Sequence, residues 1–254
     1  MNGGGNALRY LAAAVGGLFL AATAFQLLDQ QNLIFQPPTV PDTANLVESV
    51  TARLSYRQDV WPLFLAANGL FALGFGALIG LGIALGRRVG RDDDRGVVLL
   101  WTLAVAGTLG AVGQLVLIGA VKTTIDIPYC DCGFKNEEIV SQVWALMVVQ
   151  GASDMLVQVG SLFAAAGLVA AALAFGGRAM PASWAWLSYG IAAGFVVVAA
   201  LSVADVLGDV AYWLTAALTG VLVPVWALWL ASRFGEDGAA SGSTETVAPS
   251  PTSA

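Results

Sequence analysis

Gln150, Asp154 and Gln158 stand four residues apart within a long apolar stretch, and residues at that spacing share one face of a helix. Asp154 is the one carboxylate in the chain with long apolar sequence on both sides. Placed in a membrane, such a group could carry a proton or bind a cation, with Gln150, Gln158 and Gln114 as neutral ligands. The competing reading is a water-facing Asp at the outer end of a helix that packs through its glutamines. Counting back from Phe175 puts Asp154 near the boundary of a hydrocarbon core about 30 Å thick, which favours the water-facing reading.

Cys130 and Cys132 form a second candidate, separated only by Asp131. A ring closed between them would be strained, so bonding to a partner chain, holding a soft metal with Asp126 or Glu137, or staying reduced are the alternatives. Catalysis by either thiol is disfavoured, because the acidic loop opposes the thiolate. Asp205 and Asp209 form a third group, expected at the same face as Glu137 and Glu138. Solvated turn residues explain them, with Asp209 suited to a helix N-cap.

The elements that must position these residues follow from composition. The 254-residue chain is 57% hydrophobic and only 11% charged, less than half the charged share of a soluble domain, about 25%. Its mean hydropathy is +0.76. Apolar runs of about 20 residues recur along it, continuous rather than alternating, which selects membrane-spanning helices over a barrel. The net charge of −6 argues against nucleic acid as a partner. Absence of histidine removes His-ligated haem, His-based zinc sites and histidine general bases. No nucleophile–base pair or cofactor fingerprint is present, so neither an enzyme nor a bound cofactor is expected.

The reading is an all-α polytopic bundle of six spans, about 8–28, 62–85, 97–121, 143–175, 184–204 and 210–232, forming one domain over 1–234 with a disordered tail over 235–254. A cleavable signal peptide competes for the first span at Ala22-Thr23-Ala24. Pro37, Pro38 and Pro41 precede a short amphipathic stretch, Leu46, Val47, Val50 and Leu54, expected to lie on the outer surface. Gly76 with Gly80 and Gly82 with Gly86 are small-xxx-small pairs suited to close helix packing. The helix from Asn136 to Phe175 would be roughly 60 Å long at ~1.5 Å per residue, so either its outer part stands clear of the membrane or it bends near Gly151 or Gly160. Pro224 is expected to kink the last span, and Trp184, Trp186 and Tyr189 to form an aromatic belt. Arg9, Arg87, Arg88, Arg91, Arg95, Arg178 and Arg233 fall at one face, against Arg53, Arg57, Lys122 and Lys135 at the other. Positive charge concentrates on the cytoplasmic side, so both termini are expected inside. The Asp92, Asp93 and Asp94 triplet lies among those arginines and is already compensated by them.

Pro41-Asp42-Thr43-Ala44-Asn45, the Gly-rich middle spans, and Met180-Pro181 leading into Trp184 and Trp186 together resemble a family of small bacterial multi-spanning membrane proteins common in actinobacteria. The resemblance implies a bacterial inner-membrane location and brings no catalytic residue. The Cys-Asp-Cys loop and the long fourth helix depart from it. Two functions are expected from the sequence. The first is a non-catalytic subunit or interaction protein of a larger membrane complex or homo-oligomer; the alternative is a carrier or channel for a cation or small solute using Asp154. Absence of a clear internal repeat favours the first.

Overall fold

An apolar run in hydrocarbon must satisfy its own backbone N–H and C=O groups, and a helix does so within the segment. The computed structural model describes residues 3–30, 52, 56–90, 93–125, 136–203 and 208–240. Its helices are α1 (Gly3–Gln30), α2 (Trp61–Val89), α3 (Asp94–Ile125), α4 (Asn136–Phe175), α5 (Ala182–Val203), α6 (Gly208–Ala217) and α7 (Val223–Ala240). A π-helical turn, Leu218–Leu222, joins α6 to α7. Six of the resulting rods are long and apolar enough to cross a membrane: Gly5–Leu28, Trp61–Val89, Asp94–Ile125, Trp144–Phe175, Ala182–Ser202 and Trp213–Phe234. The protein is an all-α, multi-pass membrane bundle.

Local signals fix where these rods begin and end. Pro62 stands at the start of α2, where a helix needs no N–H donor. Gly90, at φ 112°, ends α2 in a conformation that a side chain would oppose. Asp93 Oδ1 accepts the Arg95 backbone N–H at 2.9 Å, so one member of the aspartate triplet caps α3. Pro224 cannot donate to the carbonyl four residues back. The helix accommodates that gap with the π turn just before it, in which the Val223 N–H reaches Leu218 O.

Consecutive helices pack side by side, and α1 also packs on α7 and the π turn, so the six spans close into a ring. Glycines set the spacing. A Cβ on Gly107 would come 2.5 Å from the Phe75 carbonyl oxygen, whereas one on Gly119 would meet nothing within 4 Å. The Gly82 and Gly86 pair faces α3, and Gly80 faces Leu11 of α1, but Gly76 opens away from any neighbour. One of the two expected pairs therefore works as a unit and the other does not.

The half of the bundle that ends at Arg87, Arg88, Arg95, Arg178 and Arg233, here the arginine end, is densely filled. Leu85, Leu99, Phe175, Met180, Trp184 and Leu230 are buried there. Trp184 and Trp226 stack with ring centroids 5.3 Å apart. Trp184 Nε1 donates to Trp226 O at 3.3 Å and Trp226 Nε1 to Ser188 Oγ at 2.8 Å. The Ser188 hydroxyl in turn donates to Trp184 O at 2.9 Å. At the bundle's edge the Arg88 guanidinium lies 4.5 Å over the Phe234 ring, which meets Phe175 edge-on.

One expectation is corrected by this geometry. Trp184 is fully buried rather than part of an aromatic belt, because its N–H and stacking partners lie inside, while Trp186 is 73% exposed and touches Tyr189. α4 is unbroken through Gly151 and Gly160. α7 runs to Ala240. The cysteine loop, Asp205 and most of the amphipathic stretch around Leu46 to Leu54 lie outside the described residues.

Ser188→Ala should lower stability by about 1–3 kcal/mol, because the buried Trp226 N–H then has no acceptor. Thermal unfolding in mild detergent, with Ser183→Ala at an exposed site as control, measures it. Gly107→Leu should abolish a monodisperse fold on size exclusion, while Gly119→Leu should leave it intact.

Candidate functional site

Between the middle of the bundle and the end away from the arginines, the ring encloses a cavity of about 480 Å³, a size that suits a small-molecule site. Nearest the bundle's middle its lining is aromatic, with Phe19 from α1, Phe71 and Phe75 from α2 and Phe195 from α5. Phe19 meets Phe71 and Phe75 edge-on, centroids 5.7 and 5.0 Å apart. The rest is mixed: aliphatic side chains such as Leu117, Val157 and Val198 alternate with polar ones, among them Asp154, Gln158 and Ser161 from α4, Gln114 from α3, and Thr215 and Thr219 from α6 and the π turn. Asp154 is the one charged residue among the described residues that line it.

The level of Asp154 is set by the register of α4 against α3. Ser153 is buried and its hydroxyl donates to Gly113 O at 2.8 Å. A Cβ on Gly113 would already crowd α4, 3.0 Å from Val157 Cγ2 and 3.1 Å from Ser153 O. Small residues thus let the two backbones approach, and the Ser153 bond locks one register. At ~1.5 Å per residue, Gly113 lies about 13 Å along α3 from Lys122 and about 27 Å from Arg95. Asp154 is therefore held below the end of the bundle, on the wall of the cavity, and is exposed to it.

Three hydroxyl groups around it, and one N–H of Asn68, are committed as donors. Ser161 Oγ donates to Val157 O at 2.9 Å, Thr215 Oγ1 to Ala211 O at 2.8 Å and Thr219 Oγ1 to Thr215 O at 2.7 Å. Asn68 Nδ2 donates to Phe64 O at 2.7 Å. A hydroxyl has one proton and two lone pairs, so each such group has spent its donor on its own helix and keeps acceptor capacity. Gln114 Oε1 is buried and accepts no hydrogen bond. The same is true of Thr23 Oγ1, which abuts Gly220 in the π turn. A buried oxygen without a donor is uncommon and calls for water or a ligand.

Of the residues singled out by sequence, Asp154, Gln158 and Gln114 meet on this one cavity. Gln150 does not. One turn nearer the helix start, it lines a separate cavity of about 90 Å³ with Arg57, Phe64 and Leu146. Two basic groups at that end lie over aromatic rings, Arg57 5.5 Å from the Phe64 centroid and Lys122 5.7 Å from that of Trp61. Cys130 and Cys132 lie outside the described residues, and Asp209 falls in the first turn of α6. Among the described residues, no group of three or more His, Cys, Asp or Glu could hold a metal ion. Sequence reasoning passed over Gln26, Asn68, Thr215, Thr219 and the four phenylalanines. Their shared signal was position: each polar one interrupts an apolar span in the half away from the arginines.

With Cys130 and Cys132 replaced by Ser, the purified Ser161→Cys variant should react with a charged, membrane-impermeant maleimide. Leu103→Cys, at a position 1% exposed, should not. Labelling stoichiometry by intact-protein mass spectrometry decides whether water fills the cavity. Comparison with protein-family models, curated proteins and solved structures finds no match for this chain, so the site is read from its own geometry.

Proposed function

We propose that the protein is a carrier that takes a small solute into the cavity from the end away from the arginines. The observation that carries this reading is the closure of the ring on one side only. At the arginine end the space between helices is filled by Trp184, Trp226 and their neighbours, while the opposite half holds a cavity of mixed polar and apolar lining that reaches an aromatic layer near mid-bundle. A site near the bilayer midplane, accessible from one side and sealed from the other, is the arrangement a carrier needs in one of its states. A continuous pore would leave the arginine end open. The alternative of a docking subunit draws on the Cys130 and Cys132 loop and on the amphipathic stretch, both largely outside the described residues, so it has less structural ground.

By the excess of arginines at one end, we place that end in the cytoplasm of a bacterial cell, with the cavity facing outwards. In intact cells the Ser161→Cys variant should then be labelled by externally added impermeant maleimide; labelling only after lysis would reverse the orientation.

The function is tested without presuming the solute. Sugars, amino acids, organic anions and organic ammonium ions are screened for a rise in melting temperature of the full-length protein. At least one class should stabilise the wild type, by several degrees at ~100 times its Kd. It should not stabilise Ala199→Trp, which fills the cavity, or Gln114→Leu, which removes one of its polar groups. The same solute should exchange across proteoliposomes containing the wild type. No cavity-dependent response from any class would sink the carrier reading.

A further inference from the structure

We propose that the ligand of this cavity is a monovalent organic ammonium ion, an inference that rests on the carrier reading and narrows it. Charge comes first. Among the described residues, the lining carries one carboxylate, Asp154, and no basic residue. Arg57, which could have balanced it, lines the separate smaller cavity and lies over the Phe64 ring. An anionic solute would meet the Asp154 carboxylate with no basic partner on these walls, whereas a single positive charge is matched by it.

Hydrogen-bond polarity points the same way. Ser161, Thr215 and Thr219 each donate to a carbonyl of their own helix, so what they turn to the cavity is lone pairs. Gln114 adds an amide oxygen with no donor. The hydroxyls thus turn acceptors to the cavity, and the amides of Gln26, Asn68, Gln114 and Gln158 carry oxygens as well as N–H groups, so a ligand bearing N–H donors finds acceptors beside the Asp154 carboxylate. Gln158 supplies an amide that can present either end.

Size and the aromatic lining separate an organic from an inorganic cation. Replacing the hydration shell of Ca²⁺ takes about six to eight oxygens, most of them from closely placed ligands. Here one carboxylate stands on the wall of a space of about 480 Å³, and no metal-holding cluster exists among the described residues. Phe19, Phe71, Phe75 and Phe195 stand on the same walls, with aliphatic side chains such as Leu117, Val157 and Val198 between them. Aromatic rings attract an ammonium group through their π faces and bury its alkyl substituents at the same time.

The test measures binding of triethylammonium to the full-length protein in nanodiscs, against triethylmethanol, which has nearly the same shape without the charge, and against sodium as competitor. Triethylammonium should bind at least tenfold more tightly than the alcohol, and Asp154→Asn should bring the two to similar affinity. Sodium at the same concentration should not displace it. The proposal is overturned if the alcohol binds as well as the ammonium, if sodium competes on equal terms, or if neither triethylammonium nor its smaller and larger alkylammonium homologues bind. In the solute screen, a cavity-dependent response confined to sugars, amino acids or anions would overturn the ammonium assignment and leave the carrier reading standing. Silence from every class would remove both.

Discussion

The Trp184, Trp226 and Ser188 cluster is the contact on which the closed end of the bundle depends. In lipid, apolar side chains gain little by leaving tails that are as apolar as they are, so helices are held by close packing and by hydrogen bonds. Two stacked indoles provide the packing. Their two N–H groups and one serine hydroxyl provide three bonds between and within α5 and the π–α7 rod. The cluster joins the fifth span to the sixth, and the packing of α1 on α7 then completes the ring. Elsewhere glycines take the part of the polar glue, as where Gly107 admits the backbone of Phe75.

The cavity is the other consequence of the same rule. Polar side chains in the far half could have bonded across the axis and drawn the helices together. Ser161, Thr215 and Thr219 instead bond back to carbonyls of their own helices, which satisfies each donor without bringing two helices into contact. Ser153 bonds sideways to the neighbouring α3, as Gln58 does to Ile125 O at its end. Sideways bonds fix register; back-bonds leave the axis empty. The two ends thus differ in where the hydrogen bonds go, more than in how polar the residues are.

Much of the architecture was legible in the sequence, because span length and apolar continuity are properties of single segments, and a helix in lipid needs no partner to satisfy its backbone. The number of spans follows from that. What each face does was only partly legible. The four-residue spacing grouped Gln150 with Asp154 and Gln158, but over two turns the helix passes from one neighbouring groove to the next, so Gln150 serves a different cavity. Trp184 and Trp186 look alike in sequence, as aromatic residues at a span's end. Only the partner on α7 makes one of them core. The π turn was invisible as such, although Pro224, its cause, was plain.

A seal made of hydrogen-bonded indoles has a property that a purely aliphatic one lacks. Separating aliphatic side chains at the arginine end would expose apolar surface with nothing to replace the lost contacts. Separating Trp184 from Trp226 would free two N–H donors and their acceptors, the Trp226 carbonyl and the Ser188 oxygen, while the Ser188 hydroxyl keeps its bond within α5; water arriving from that side could take over each of the lost bonds. The net change is then smaller than the number of broken bonds suggests, since protein–protein bonds are exchanged for protein–water bonds. The rod that carries Trp226 also carries the π turn, with Thr219 on the cavity wall and Gly220 against Thr23 of α1. One helix therefore touches both the seal and the site, and its ladder is interrupted between them by Pro224. Whatever displaces that segment on the cavity side bears directly on the seal.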